Sequence, residues 1–298
     1  MERMRECRIC PRDCARNRCQ GDTGFCGETN QIRIARAALH FWEEPFISGE
    51  KGSGAIFFTG CNLKCIFCQN AQIALSAQGK VIAVQELADI MLDLEAQGAH
   101  NINLVTPSHV VLQVREALLL ARKKGLRVPI VYNTSAYECV ETLRLLDGLV
   151  DIYLPDFKYK DSELAAKYSH APDYPEVAAK AIAEMFRQRG PLVHGENGML
   201  QSGVVVRHLL LPLGVRNAKA VLDELKETYG DDIYISIMNQ FTPVRKIDQY
   251  PHLNRKVTKR EYENVLSYIL EKGMENVFFQ EGETAKESFI PDVNQFVE

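Results

Sequence analysis

Three cysteines stand in the run Gly60-Cys61-Asn62-Leu63-Lys64-Cys65-Ile66-Phe67-Cys68-Gln69-Asn70. Their spacing is Cys-x3-Cys-x2-Cys, and an aromatic residue directly precedes the last cysteine. Cysteine thiolates are the usual ligands of a four-iron cluster. Because three thiolates can hold only three of the four irons, the run predicts a cluster with one open iron, held by Cys61, Cys65 and Cys68.

Length and composition describe an ordinary globular protein. The chain has 298 residues, of which 46% are hydrophobic and 25% are charged, enough for one large α/β domain and a small appendage. The net charge of −4 argues against broad binding to nucleic acid or to an anionic membrane. The polar start carries no secretory signal, and no stretch approaches the length of a membrane span. We therefore expect a cytoplasmic protein.

The first 30 residues are rich in cysteine and poor in apolar residues. Eight of the nine cysteines precede residue 70. In a reducing compartment, clustered cysteines bind metal more often than they form disulfides. We expect Cys7, Cys10, Cys14 and Cys26 to hold zinc or an auxiliary iron–sulfur cluster, with Cys19 as the spare. The alternative is a disordered tail with incidental thiols.

From Ala55 onward the chain alternates between strand and helix patterns. The predicted strands are Ala55–Thr59, Asn101–Val105, Val128–Tyr132, Val150–Leu154, Val204–Leu211 and Tyr234–Met238. The predicted helices are Val84–Gln97, Val110–Lys124, Glu138–Leu146, Asp161–Tyr168, Pro175–Arg189, Asn217–Tyr229 and Thr258–Lys272, and a short extended piece follows at Asn276–Gln280. Such alternation indicates parallel βαβ units, as a partial barrel or an open sheet. We expect a cysteine-rich extension over residues 1–50 and the α/β domain over residues 51–298.

Polar residues follow several predicted strands, at the end where parallel barrels place their sites. Asp156 and Lys158 alternate with Phe157, so both should face the same way, either toward a ligand or as a solvated pair. Arg207 interrupts an apolar strand and needs a partner or a ligand. The neighbouring His208 is equally consistent with a satisfied core residue. Further candidates, each at or near a strand end, are Thr106, Ser108, Asn133 and Gln240.

Together these pieces resemble the radical S-adenosylmethionine (radical SAM) superfamily. Over Ala55–Pro243 they are similar to its pyruvate formate-lyase-activating enzymes. The resemblance rests on the cysteine loop, on Asp156-Phe157-Lys158, and on Arg207 with the Leu-Leu-Leu-Pro that follows His208. The cysteine-rich start is more similar to an uncharacterised activating-enzyme-like subgroup. The resemblance implies a partial (β/α)6 parallel barrel.

The resemblance also implies the cofactors and the reaction. A 4Fe–4S cluster at Cys61, Cys65 and Cys68 would cleave S-adenosylmethionine (SAM) reductively, and the resulting 5′-deoxyadenosyl radical would abstract a hydrogen atom from a glycine of a partner enzyme. Flavodoxin or ferredoxin would be the reductant. The implied cofactor-binding residues are Phe67, Asn70, Thr106, Asn133, Asp156, Lys158, Arg207 and Gln240.

The chain departs from the family pattern at three places. Thr106-Pro107-Ser108-His109 stands where most members have a Gly-Gly-Glu-type stretch. Asn133 replaces an acidic residue, and Gln240 replaces a ribose-contacting histidine. The substrate therefore stays open. Other hypotheses are radical modification of another peptide, of RNA or of a small metabolite, and an iron–sulfur electron carrier or zinc scaffold without turnover.

Overall fold

The computed structural model describes residues 2–75 and 78–279. The strands are β1 (Ile32–His40), β2 (Ser53–Phe58), β3 (Lys80–Ile82), β4 (Ile102–Val105), β5 (Ile130–Thr134), β6 (Ile152–Pro155), β7 (Val193–His194), β8 (Leu200–Leu209), β9 (Tyr234–Met238) and β10 (Val277–Phe279). The helices are α1 (Pro45–Ser48), α2 (Ala71–Leu75), α3 (Val84–Ala96), α4 (Val111–Lys123), α5 (Val140–Leu143), α6 (Ser162–Ser169), α7 (Tyr174–Arg189), α8 (Val215–Tyr229) and α9 (Lys259–Glu271). Within the described ranges, every helix is too short or too polar to cross a membrane.

Seven parallel strands run side by side in the described part of the sheet: the six predicted strands and β10. Along the sheet the strand order is β10-β9-β8-β6-β5-β4-β2-β1-β3, and every pair from β2 to β10 is parallel. Helical connections join these strands, as parallel neighbours require. The predicted α/β class with a partial barrel of six units is confirmed, and the carboxyl ends of the strands meet at one edge of the sheet.

Two strands, one before and one after the cysteine loop, were not predicted. β1 runs antiparallel to β2, pairing Ala37 with Ile56, and it also pairs with β3. The arginines in β1 hide its apolar alternation, and β3 is only three residues long. Because β1 precedes residue 50, the sheet extends into the region predicted as an extension. The division of the chain at residue 50 stays a prediction. Gln280, the last residue of the predicted extended piece, and the residues after it lie outside the described part of the chain.

The interior of the barrel is filled below the carboxyl ends of the strands. The short helix α1 places Phe46 and Ile47 against Val131, Ile152 and Val205, which lie early or midway in their strands. These side chains are buried and apolar, so this end of the barrel is packed core. Space for a ligand remains toward the carboxyl ends.

Candidate functional site

One cavity at the carboxyl ends of the strands brings together the three cysteines of the loop and the eight residues that the resemblance implies for cofactor binding. The lining includes Cys61, Cys65, Phe67, Cys68, Asn70, Thr106, Asn133, Asp156, Lys158, Arg207 and Gln240. Strand alternation explains why, because alternate residues of each strand face the interior. The register places Val105 opposite Asn133, and a bridge places Asp156 opposite Arg207. The roles of these residues stay predictions.

The cysteine loop begins at a glycine that the packing requires. Gly60 has φ +77°, in the left-handed region that favours glycine. A Cβ at this position would lie 2.6 Å from Glu28 Cγ and 2.9 Å from the Cys26 carbonyl oxygen. A side chain here would therefore displace the loop that carries Cys61.

Each of the three cysteine sulfurs accepts a hydrogen bond. Ser169 Oγ donates to Cys65 Sγ at 3.0 Å, and the Leu63 amide donates to Cys61 Sγ at 3.3 Å. The Asn70 amide donates to the Cys68 sulfur. Three thiols with such donors fit the thiolate ligands of an iron–sulfur cluster, whose potential depends on hydrogen bonds to sulfur.

Burial keeps two of these thiols protonated while no metal is bound. It raises the pKa of Cys65 to about 11 and the pKa of Cys68 to about 12. Metal binding therefore has to displace protons. Within residues 2–75 and 78–279, no group of three or more Cys, His, Asp or Glu side chains stands at the distances of a single bound ion.

Two cations and two carboxylates form a buried network in the same cavity. Arg207 donates to Glu43 Oε2 at 3.0 Å, to Asp156 Oδ1 at 3.3 Å and to Asn133 Oδ1 at 2.6 Å. Lys158 Nζ lies 2.5 Å from Asp156 Oδ2. Burial disfavours the charged form of both Asp156 and Lys158. The attraction of Lys158 and Arg207 nevertheless holds the pKa of Asp156 below its usual value. The attraction of Asp156 likewise holds the pKa of Lys158 above its usual value.

The alternative of a solvated Asp156–Lys158 pair is wrong. The two side chains are only 16% and 15% exposed, and both line the cavity. Phe157, between them, points into the core. His208 is a satisfied core residue, since its Nδ1 lies 2.7 Å from the Phe157 carbonyl oxygen.

Sequence reasoning missed Glu43. This residue follows β1, its side chain is 9% exposed, and it joins Arg207 to Asn103, whose amide donates to Glu43 Oε1 at 2.9 Å. Neither spacing nor periodicity marks it, because β1 itself was not predicted. The only signal is a pair of acidic residues, Glu43 and Glu44, between an apolar run and a proline.

Thr106 is held in a strained conformation beside the cavity. Its φ is +61°, which is unusual for a β-branched residue and typical of functional sites. Its amide donates to the Asn133 carbonyl at 2.8 Å. The candidate Ser108 is not among the residues that line the cavity, and its buried hydroxyl donates to Glu138 Oε1 at 2.5 Å.

Phe67 and Gln240 flank the cavity beside the cysteines. The Phe67 ring makes edge contacts with Tyr168 and Phe241, at centroid distances of 6.3 and 6.2 Å. Gln69 donates to the Gln240 carbonyl oxygen at 2.9 Å. These contacts connect the cysteine loop to the segment after β9.

The cysteine-rich start packs directly against the cysteine loop. The Cys61 amide donates to the Cys26 carbonyl at 3.2 Å. Arg12 donates to the carbonyl oxygens of Asn62 at 2.7 Å and Leu63 at 3.3 Å. Cys7 and Cys26 are buried. These contacts contradict the alternative of a disordered tail.

In sequence, the chain is similar to a protein that is itself uncharacterized. No family model matches the chain. The uncharacterized protein MJ0674 of Methanocaldococcus jannaschii is 28% identical over 272 residues, which cover 88% of this chain and 74% of that protein.

Solved structures identify the fold. A radical SAM methyltransferase from Sphaerobacter thermophilus has a TM-score of 0.52 at 15% identity, covering 76% of this chain and 67% of its own. Streptococcus suis SuiB, also solved bound to S-adenosylmethionine, has a TM-score of 0.52 at 14% identity, covering 76% of this chain. HydG, a maturase of the [FeFe]-hydrogenase, has a TM-score of 0.51 at 14% identity, covering 77%. The matches span 48% of SuiB and 52% of HydG. This chain therefore has the fold of radical SAM enzymes.

Proposed function

We propose that this protein is a radical SAM enzyme that cleaves S-adenosylmethionine reductively and abstracts a hydrogen atom from a substrate. One observation carries the proposal: the three thiols of the cysteine loop line the same cavity as the Asp156–Lys158–Arg207 network. A pure electron carrier or a zinc scaffold has no use for a charged ligand pocket beside its metal site. An enzyme that binds a zwitterionic nucleotide does.

The side chains of the cavity divide between binding and exclusion of water. Cys61, Cys65 and Cys68 would hold the 4Fe–4S cluster. Lys158 would pair with the SAM carboxylate, and Asp156 would accept from a ribose hydroxyl or ligate a cation. When bound and reduced, the cluster with SAM supplies a 5′-deoxyadenosyl radical. The apolar lining, which includes Val105, Leu209 and Met238, would keep water from the reacting atoms.

The ligand assignment is tested with Cys65→Ala. Anaerobic, reconstituted and dithionite-reduced wild-type protein should release 5′-deoxyadenosine from SAM, and the variant should release none, because one iron loses its thiolate. The matched control is Cys139→Ala, which removes a half-buried thiol outside the cavity and should leave release unchanged. No release by the wild-type protein would favour a carrier or scaffold. Retained release by Cys65→Ala would contradict the ligand assignment.

We further propose that the hydrogen comes from a backbone glycine of a partner enzyme, with flavodoxin or ferredoxin as the reductant. Support comes from the family resemblance and from Trp42, which lines the cavity and is 59% exposed, so a peptide entering the cavity can contact it. Co-expression with candidate glycyl radical enzymes should give a glycyl doublet in electron paramagnetic resonance. If 5′-deoxyadenosine forms but no candidate gains the doublet, another peptide, RNA or a small metabolite becomes the substrate class.

A further inference from the structure

The first 30 residues gather a second group of thiols outside the cavity. We propose that Cys7, Cys10, Cys14 and Cys26 bind one metal centre through four thiolates, which is either a zinc ion or an iron–sulfur cluster. Both use four cysteine thiolates as ligands. The proposal stands apart from the proposed function, because it concerns none of the residues of the cavity.

Two of the four thiols lie against one glycine, and a third bonds to one of these two. A Cβ on Gly24 would lie 3.3 Å from Cys26 Sγ and 3.4 Å from Cys14 Sγ, so any side chain here would crowd the two sulfurs. The Cys7 side chain forms a hydrogen bond with Cys14. The sulfurs of Cys7, Cys14 and Cys26 therefore share one small volume, which Gly24 keeps open.

Cys10 follows Cys7 at the Cys-x2-Cys spacing that metal-binding cysteines commonly have. Cys7 and Cys26 lie near enough to Cys10 to interact with it electrostatically. The four thiols are not yet at single-ion distances in the described part of the chain. Rotation about χ1 moves a cysteine sulfur between staggered positions while the backbone stays in place. A change of cysteine rotamers is the movement that the proposed site requires.

A buried arginine supplies the opposite charge. Arg18 is 1% exposed, and within the described residues it forms no ion pair with a carboxylate. Its guanidinium donates to the carbonyls of Glu28 at 3.2 Å and Thr29 at 2.5 Å, and to Cys7 Sγ at 3.6 Å. A buried cation needs a nearby negative charge. Four thiolates around a divalent ion carry excess negative charge. A metal centre here would therefore supply the counter-charge that Arg18 lacks.

The backbone around Cys14 is held in an unfavourable form. Asp13 and Ala15, on either side of it, have φ values of +40° and +49°. Such conformations persist where the surroundings impose them. Two hydrogen bonds fold this stretch onto Cys7, whose amide donates to the Arg16 carbonyl at 3.1 Å and whose carbonyl accepts from the Ala15 amide at 3.1 Å. This fold directs Cys14 toward Cys7.

The test separates the two metal sites by substitution. A Cys61→Ala/Cys65→Ala/Cys68→Ala variant of the full chain, purified anaerobically, should retain one metal centre per chain. Adding Cys14→Ala or Cys26→Ala should remove that centre, whereas adding Cys19→Ala, in the same segment, should not. Elemental analysis and X-ray absorption distinguish the two kinds of metal centre. A zinc site gives one zinc with four sulfur neighbours at about 2.3 Å, and an iron–sulfur cluster gives iron with inorganic sulfide.

Each outcome decides the proposal. A triple variant without metal, or a centre that survives both Cys14→Ala and Cys26→Ala, overturns it. Equal loss with Cys19→Ala overturns the ligand set. If the triple variant does not fold by circular dichroism, the wild-type chain is compared directly with Cys14→Ala. The variant should then lack either one zinc or the iron in excess of one 4Fe–4S cluster, and equal metal content in the two proteins would refute the site.

Discussion

At the scale of single residues, Glu138 shows how burial alters one carboxyl group next to the site. It is 2% exposed, and its Oε1 accepts hydrogen bonds from Ser108, Thr134 and Tyr132 at 2.5, 2.6 and 3.4 Å. Its Oε2 is buried and has no hydrogen-bond partner among the described residues. Burial raises the pKa of Glu138 to about 7, although the three hydroxyls oppose the shift.

The raised pKa of Glu138 predicts that stability falls as pH rises. Between its ordinary value of 4.5 and about 7, the folded chain binds more protons at this residue than the unfolded chain does. The free energy of unfolding should therefore decrease by about 3 kcal/mol across this window and stay level above it. Urea unfolding of the anaerobic wild-type protein and of Glu138→Gln, compared from about pH 5 to about pH 8, isolates this contribution.

The control is Glu141→Gln, which removes an exposed carboxylate from the same segment. It should keep the wild-type slope, whereas Glu138→Gln should flatten it. Parallel pH profiles for the wild-type protein and Glu138→Gln would show that Glu138 is already ionised in the folded chain at low pH, against the burial argument.

Residue spacing predicted the shared orientation of Asp156 and Lys158, for a physical reason. Side chains alternate along a strand, so Asp156 and Lys158 had to face the same way, and the structure places both on the cavity. Glu43 lies outside the reach of this reasoning. Glu43 follows β1, and the pairing of β1 with β2 is a tertiary contact. Its partner Arg207 is 164 residues away in the sequence. No local pattern specifies such an encounter.

At the scale of elements, α9 shows how one helix start is fixed. Thr258 caps it, accepting from the Glu261 amide at 3.2 Å, while Glu261 Oε2 accepts from the Thr258 amide at 2.8 Å. Glu261 also accepts from the Leu213 amide at 2.8 Å, which ties α9 to the loop after β8. The Arg255 guanidinium holds the pKa of Glu261 well below its usual range, so this contribution to stability is lost as pH falls.

The reciprocal cap predicts the effect of two substitutions at one position. Thr258→Ala should lower the free energy of unfolding by about 1 kcal/mol, because the Glu261 amide loses its acceptor. Thr258→Ser keeps the hydroxyl and should restore most of the loss. Urea unfolding at neutral pH measures both. Equal stability of Thr258→Ala and the wild-type protein would mean that contacts of Glu261 alone fix the helix start.

Element prediction succeeded where burial is continuous and failed where it is partial. β9 was predicted at its observed bounds, Tyr234–Met238, because four of its five residues are buried and apolar or small. β5 and β6 begin two residues later than predicted, at Ile130 and Ile152, because an apolar run does not show where pairing starts. β1 was missed because its half-buried face mixes arginine with alanine.

At the scale of the whole molecule, Arg12 joins three parts of the chain. From the cysteine-rich start it donates to the carbonyls of Asn62 and Leu63 in the cysteine loop, and to those of Ser169 at 2.9 Å and His170 at 2.5 Å, at the end of α6. Ser169 in turn donates to Cys65 Sγ. The arginine thus fixes both the loop and a hydrogen-bond donor to one of its sulfurs.

Two aromatic rings hold the guanidinium in place. The Arg12 guanidinium carbon lies 4.1 Å from the centroid of the Phe25 ring and 4.9 Å from that of Tyr137. Tyr137 also accepts a hydrogen bond at its carbonyl from the Asn62 side chain at 2.7 Å. A planar guanidinium can satisfy several acceptors while stacked on rings, and an ammonium group cannot reproduce that arrangement.

This arrangement predicts that Arg12→Lys loosens the cluster that we propose for the cysteine loop, while the fold is kept. Lysine retains the charge but loses most of the hydrogen bonds, which we expect to cost about 2 kcal/mol, or roughly a 30-fold faster loss of iron to a chelator. The measurement is the decay of the electron paramagnetic resonance signal of the reduced, SAM-bound cluster after anaerobic addition of the chelator. This signal reports the open-iron cluster and not a metal centre at the first 30 residues.

Arg8→Lys is the matched control, since Arg8 is exposed and its side chain pairs with Glu6 and Asp13 of the same segment. Wild-type decay for Arg12→Lys would show that the cysteine-rich start covers the loop without stabilising it.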